Sequence, residues 1–275
     1  MGKIDRTEGR TLFGLDAAAY DEARPDYPER IYEILSERCG LTASARVLEI
    51  GAGSGNVTRR LIELGTKSIV AIEPDEALAS FISSTAPEVD VRVEAFEDVQ
   101  LPSSWFDLAV AATAFHWVDR ETGLRKVTEL LRPGGWWAMW WNNFGDPERH
   151  DSFHEATTDL LSPLAESPSA GEAGRPAFAL DLETRTADMV SAGFEKIEHE
   201  LMHWTLTLTA AETRGLYATY GSINRLPSAE REELLDAIAR IADDEFDGRV
   251  ERNMITSIYT ARRPVSSGKV DSLLP

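Results

Sequence analysis

The chain switches between two hydrophobic periodicities, and the switch points divide it. Five short apolar runs have strand length: Val47 to Ile50, Ile69 to Ile72, Val91 to Val93, Phe106 to Ala112 and Trp136 to Trp141. They follow one another as the strands of one sheet would. Val91 and Val93 alternate with polar residues, whereas Phe106 to Ala112 and Trp136 to Trp141 read as buried strands. Ahead of these runs, Phe13 to Gly40 reads as helices, with Pro28 near a helix start and Ile31, Ile34 and Leu35 on one face. Behind them the pattern loosens. Ser162-Pro163, Ser167 to Gly171 and Gly174-Arg175-Pro176 mark a loop-rich insertion. Phe194 to Leu208 then alternates as a strand, Leu216 to Phe246 carries Leu234, Leu235, Ile238 and Ile241 at helical spacing, and Met254 to Ala261 reads as a last strand. The pattern divides the chain into helices over 1–40, a core over 41–143, a region of cap helices and two closing strands over 144–264, and a flexible tail over 265–275. There is no internal repeat.

The ends of the apolar runs carry the candidate chemistry. Val47-Leu48-Glu49-Ile50 runs into Gly51-Ala52-Gly53-Ser54-Gly55. A buried parallel strand ending in a glycine-rich turn brings bare backbone N–H groups to a helix N-terminus, the setting of a nucleotide-type cofactor site. Glu49 narrows the choice, because a carboxylate there repels a pyrophosphate and attracts an amino group or a sulfonium. The dinucleotide fingerprint G-x-G-x-x-G is not met, since Gly55 arrives one residue early and Asn56 follows it. About eighteen residues further on, Glu73-Pro74-Asp75 ends the second run. A carboxylate at that point accepts both hydroxyls of an adenosine ribose; the plainer reading is a surface acid at a strand end. Ala95-Phe96-Glu97-Asp98 ends the third run and offers a backbone N–H and a flat apolar side chain suited to adenine. Thr113-Ala114-Phe115-His116-Trp117 follows the fourth run, and the turn Leu131-Arg132-Pro133-Gly134-Gly135 leads into the fifth.

Together these stretches resemble the class I S-adenosylmethionine-dependent methyltransferases, over roughly Tyr20 to Asn143. Within that superfamily the chain resembles the small-molecule branch of trans-aconitate methyltransferase-like enzymes. Tyr20-Asp21-Glu22-Ala23-Arg24-Pro25-Asp26-Tyr27-Pro28 and His116-Trp117 carry that likeness. The resemblance implies an α/β fold: a Rossmann-like, doubly wound seven-stranded sheet closed by an antiparallel edge, with N-terminal helices and a helical cap made by the insertions. It implies S-adenosyl-L-methionine as donor, S-adenosyl-L-homocysteine as product, and methyl transfer to an O, N or carboxylate of a small molecule. The donor set it implies is Tyr20, Arg24, Glu49, Gly51, Ala52, Gly53, Gly55, Asn56, Glu73, Pro74, Ala95, Phe96, Glu97, Ala112 and Thr113, with Arg24 pairing the donor's carboxylate. Many relatives carry an Asp where this chain has Ala95, which leaves adenine to backbone groups near Phe96 and Glu97.

Composition bounds the partners. A formal net charge of −19 on 275 residues repels nucleic acid and anionic membranes, and no basic run offsets it. One cysteine gives no disulfide framework and suits a reducing cytoplasm; no apolar stretch has the length of a membrane span. Oligomeric state is not legible. A nicotinamide-dependent oxidoreductase of related fold, and a non-catalytic protein that binds the donor, stand as alternatives.

For the acceptor side, His116 is the candidate base or acceptor contact, because it follows strand four where open α/β sheets bind ligands; a packed, structural histidine is the other reading. Trp117, Trp141, Tyr217 and Tyr220 form a candidate aromatic wall, joined by Tyr27 and Asn142. A polycarboxylate acceptor wants converging arginines, for which Arg175, Arg214 and Arg225 are available. His150, His154, His199 and His203 have metal-like spacings but no evident third ligand, so no metal is expected.

Overall fold

The computed structural model describes residues 2–265; the expected tail falls almost wholly outside the described residues. One seven-stranded sheet runs through the molecule in the order β3-β2-β1-β4-β5-β7-β6. The strands are β1 Arg46–Ile50, β2 Ser68–Ile72, β3 Asp90–Arg92, β4 Phe106–Ala112, β5 Leu131–Phe144, β6 Glu195–Thr209 and β7 Arg249–Arg262. The pairs among β1 to β5 are parallel, and β7 lies antiparallel to both β5 and β6. From β1 the chain moves outward to β2 and β3, and from β4 outward to β5. The strand order therefore reverses between β1 and β4, and a crevice opens at their carboxyl ends.

Helices cover both faces. On the N-terminal side are α1 Arg6–Gly9, α2 Ala17–Ala23 and α3 Glu29–Glu37; α4 Asn56–Glu63, α5 Glu76–Thr85 and α6 Arg120–Leu130 connect the parallel strands. α7 Ser152–Leu161, α8 Leu182–Ser191, α9 Ala210–Ala218, α10 Gly221–Asn224 and α11 Ser228–Phe246 follow β5. Side-chain caps start many of them. Asp75 accepts from Ala77 and Leu78, Asp151 from His154, and Thr209 forms a reciprocal capping box with Glu212.

The period of two along β5 sorts the tryptophan run onto both faces. Trp137, Met139 and Trp141 enter the cluster of Leu48, Phe106, Phe115 and Tyr259; Ala138 and Trp140 enter the one with Ile31, Leu35, Val47 and Leu61. A third cluster, with Phe153, Tyr217, Ile223, Leu235, Ile238 and Val250, is the core of the cap.

Three sequence expectations change. Leu216 to Phe246 is not one helix: the chain breaks after Ala218 and again before Ser228, where Leu226-Pro227 resists a helical preceding residue. The expected turn Leu131 to Gly135 is the start of β5, with Leu131 pairing Phe106 and the register shifting before Trp136 pairs Leu108; Gly134 takes φ +78° there. β7 begins five residues before Met254, at Arg249.

Candidate functional site

A cavity of about 790 Å³ occupies the crevice beyond the carboxyl ends of β1, β2, β4 and β5 and extends under the cap. That volume suits a small organic ligand. On the sheet side its wall begins with the glycine turn. Gly51 and Gly53 hold φ of +69° and +60°, and a Cβ on Gly51 would lie 2.5 Å from that of Ala114. The N–H groups of the glycine turn itself are not bare. Gly51 and Ala52 both donate to the Ile72 carbonyl, Gly53 donates to Glu73 Oε2 at 2.8 Å, and Gly55 donates to the Ala52 carbonyl. The glycines contribute shape, a smooth backbone surface, rather than free donors.

Two carboxylates stand behind that surface. Glu49 is 1% exposed and accepts from Thr58 Oγ1 at 2.6 Å; burial, with the neighbouring Glu73 charge, pushes it up to about 8 against that bond. Glu73 accepts from Gly53 N and from Asp75 N at 2.9 Å; burial pushes it up to about 7 although both bonds oppose the shift. Each acid is held by donors from its own neighbourhood while lining the same cavity. Both await a positive charge or further donors.

In the same cavity, Arg24 sits among the rings of Tyr20, Phe144 and Tyr220, with its Cζ 5.1, 5.6 and 5.7 Å from the ring centres. It donates to the Thr219 carbonyl at 3.1 Å, and its Nε is occluded without a partner. Among the described residues it meets no carboxylate. Tyr27 and Thr113 share a 2.9 Å hydroxyl bond, and Thr113 holds φ +51°, a conformation that costs a β-branched residue energy and is kept by its surroundings.

His116 is buried, and its Nδ1 accepts from Trp141 Nε1 at 3.0 Å. An indole N–H only donates, so Nδ1 carries no proton and Nε2 carries it. Burial and the charges of Arg24 and Arg6 push the imidazole down to about 3. Of the two roles open to His116, base or acceptor contact, this geometry favours the contact, through a neutral N–H donor. Trp117 lines the cavity and also closes over Gly9, where a Cβ would lie 2.0 Å from its ring.

Most expected residues meet here: Tyr20, Arg24, Tyr27, Glu49, Gly51, Ala52, Gly53, Asn56, Glu73, Pro74, Phe96, Ala112, Thr113, His116, Trp117, Trp141, Asn142, Tyr217 and Tyr220 all line the cavity. Three do not. Gly55 is the left-handed N-cap of α4, packed toward Ile82. Ala95 spends its carbonyl on the turn N–H groups of Asp98 and Val99, and the Glu97 carboxylate turns to Arg10 at 2.6 Å and to Asp119 N at 3.2 Å. Of that trio only Phe96 reaches the cavity.

The sequence reading missed part of the wall. Arg10 comes from a segment without periodicity and Phe13 from the very start of the helical pattern, and Phe13 packs edge-on against Tyr20 and Trp117. On the cap side, Arg252 Nε reaches Asp151 at 3.1 Å, its Nη1 donates to the Tyr217 hydroxyl at 2.7 Å, and its Nη2 donates to the Phe144 carbonyl. Arg252 occupies an inward position of β7 between buried Val250 and Met254, a signal visible once the strand is begun at Arg249. Asp146 accepts from Arg149 and meets His203 Nδ1, each at 2.7 Å; burial opposes the shift, but these bonds hold it near 2. His150 and His154 line the cavity, whereas His199 bonds Ser257 Oγ. Arg175, Arg214 and Arg225 do not converge: they pair with Asp181 and Glu183, with Glu232 and Asp236, and with Glu8.

Comparison with known proteins places this geometry. A methyltransferase domain family model matches residues 48–139. An uncharacterized methyltransferase of Schizosaccharomyces pombe is 28% identical over 260 residues, covering 93% of this chain and 98% of its own. The structure of Haemonchus contortus phosphoethanolamine N-methyltransferase 2, bound to phosphomonomethylethanolamine and S-adenosylhomocysteine, aligns with TM-score 0.57 at 16% identity, over 95% of this chain and 60% of that one. The cyclase SpnF aligns with TM-score 0.60 at 17% identity, over 96% and 98%. Likeness at that identity is likeness of fold, and a fold hosts more than one chemistry.

Proposed function

We propose that this chain acts as a class I S-adenosylmethionine-dependent methyltransferase, as its methyltransferase domain and its methyltransferase relatives support, and that it methylates a small molecule enclosed between its sheet and its cap. S-adenosylmethionine supplies a methyl group on a sulfonium, which passes to the acceptor's lone pair while the bonding electrons stay on sulfur. The protein's share is to bind, align and keep water out.

In this reading Glu73 takes the ribose hydroxyls, Phe96 flanks the adenine, Glu49 faces the ammonium end, and Arg24 takes the carboxylate. The carrying observation is that one cavity is lined by groups of both signs. Two buried acids, each pushed up by burial, share it with a guanidinium whose Nε has no partner. A zwitterionic cationic ligand relieves both ends at once. The same acids disfavour a pyrophosphate, hence a nicotinamide cofactor. One buried cysteine suits a reducing compartment, and we place the protein in the cytoplasm. Among the described residues no helix is long and apolar enough to cross a membrane.

The test is calorimetric titration with S-adenosylmethionine, S-adenosylhomocysteine and NAD on wild type and on Glu73→Ala. The expected result is binding of both sulfur ligands, none of NAD, and an affinity loss of about thirty-fold in the mutant, the size of a lost charge-assisted bond. Binding of NAD, or indifference to Glu73, refutes the assignment.

A further inference from the structure

We propose that the acceptor is an uncharged aromatic molecule bearing a hydroxyl, and that the Nε2–H of His116 meets that oxygen. The inference rests on the methyltransferase reading and deepens it by naming the acceptor's class.

The first observation is the charge inventory of the cavity's cap side. Arg252 is bound to Asp151, Tyr217 and Phe144, and Arg149 to Asp146. Arg10 is bound to Glu97 and to the Trp117 carbonyl. The arginines at 175, 214 and 225 pair with surface acids elsewhere. Of the arginines that line the cavity, Arg24 is the one without an acid, and it stands in the aromatic cage assigned to the donor's carboxylate. No arginine or lysine of the cavity wall is left to receive a carboxylate or phosphate on the acceptor, and a chain of net charge −19 repels one before it arrives. Burying an unpaired anion costs several kcal/mol, so charged acceptors are selected against.

The second observation is the wall itself. Phe144 and Tyr220 are partly exposed, and the edges of the buried rings of Trp117, Trp141 and Tyr217 complete an aromatic lining that favours a flat apolar partner. Two polar groups on this wall have no protein partner among the described residues. The Tyr220 hydroxyl is buried without a hydrogen bond. Trp141 holds His116 Nδ1 as an acceptor, so the proton sits on Nε2, on a ring that lines the cavity. A ligand oxygen at this wall would complete both groups.

The third observation fixes the role. With Nδ1 accepting from an indole, His116 cannot take the hydroxyl proton through that nitrogen, and Nε2 is already protonated. His116 therefore orients the oxygen. The hydroxyl gives up its proton to bulk solvent as it settles beside the sulfonium, the oxygen–methyl bond then forms as the sulfur–methyl bond breaks, and the electron pair stays on sulfur.

The experiment uses the full chain saturated with S-adenosylhomocysteine and titrated with naphthol, naphthoate and naphthalene, which share a ring and differ in the polar group. Wild type is expected to bind naphthol at least about tenfold tighter than naphthoate. His116→Phe should weaken naphthol about fivefold toward the level of naphthalene, and His116→Gln, which can accept from Trp141 and still donate, should restore most of it. Trp141→Phe, which unlocks the tautomer, should blunt the preference while leaving S-adenosylhomocysteine affinity within about twofold. Naphthoate binding as tightly as naphthol, naphthol that fails to bind, or naphthol indifferent to His116→Phe overturns the proposal while the methyltransferase reading stands. Failure of S-adenosylhomocysteine itself to bind overturns both.

Discussion

On the donor side the cavity is walled by the ends of β1, β2 and β4, which lie next to one another in the sheet. On the acceptor side it is walled by the end of β5, by β7 and by segments near His150, Pro176 and Tyr217, which are far apart in the chain. The donor side is held by backbone: the N–H groups of Gly51, Ala52 and Gly53 are tied to Ile72 and Glu73. The acceptor side is held by side chains, above all Arg252 clamped between Asp151, Tyr217 and Phe144. Backbone geometry tolerates change in surrounding residues, whereas a side-chain clamp fails when one member goes. The difference predicts a constant donor arm and a replaceable acceptor arm on the same scaffold.

The sharpest way to break that contrast is Asp151→Ala. It leaves the Arg252 guanidinium, 1% exposed, without its counter-charge, and removes the N-cap of α7. We expect a stability loss of about 3–5 kcal/mol in urea or thermal denaturation, with S-adenosylhomocysteine affinity little changed at temperatures where the protein stays folded. Equal loss of both properties would show that the arms are not separable. On the donor arm the counterpart is Gly51→Ala. It puts a Cβ 2.5 Å from that of Ala114 on a residue at φ +69°, for an expected cost of about 2–3 kcal/mol. Gly53→Ala, at φ +60° with nothing within 4 Å of its Cβ, should cost only about 1 kcal/mol. If the two glycines cost the same, close approach is not what Gly51 supplies.

The same contrast explains what was legible in the sequence. Glu49, Glu73 and the glycine turn stand at the ends of apolar runs whose length and spacing already imply a sheet, so local pattern and three-dimensional position coincide. Trp136 to Trp141 was readable as a buried strand, with its end reaching the cavity, because a two-residue period sends alternate tryptophans to opposite faces. Arg10, Asp146 and Asp151 were not readable. Each is a polar residue in a segment without periodicity, and its partners are brought to it only by packing of the cap. The choice between base and contact at His116 was not readable for a different reason. Position after β4 is a sequence property, but tautomer depends on Trp141, a neighbour 25 residues away. The pairing of the Glu97 carboxylate was not readable either, because its partner Arg10 lies 87 residues upstream.

A pH experiment tests the donor arm's charge arrangement. Glu49 at about 8 and Glu73 at about 7 stand above the ordinary glutamate value of 4.5, so the folded protein without ligand holds more protons than the unfolded chain between roughly pH 4.5 and 8. Their contribution to stability is therefore present at low pH and lost as pH rises through that window. A cationic ligand favours the carboxylates and expels their protons. S-adenosylmethionine affinity should rise between pH 6 and 8 by up to about tenfold per pH unit for each proton released, or about 1.4 kcal/mol. Titration at pH 7 in two buffers of different ionisation enthalpy counts those protons directly. A count of zero removes the charge argument from the donor assignment.

The smallest effect lies where the two arms touch. Tyr27 enters the cavity from the N-terminal side, and Thr113 ends β4; their 2.9 Å hydroxyl bond is the link between them. Tyr27→Phe and Thr113→Ala each remove that bond and each leave the partner hydroxyl facing the cavity, where water can replace it. Each single change should cost about 1 kcal/mol or less, and the double mutant should recover a coupling of about 0.5–1 kcal/mol in a stability cycle. Thr113→Gly separates bond from backbone. It loses the bond but releases the strain of φ +51°, so its net cost should fall below that of Thr113→Ala. If Gly is the costlier replacement, the left-handed conformation is not strained in this setting. The β4 end would then be shaped by the Thr113 N–H bond to the Trp140 carbonyl at 2.7 Å, a backbone device of the kind that builds the donor arm.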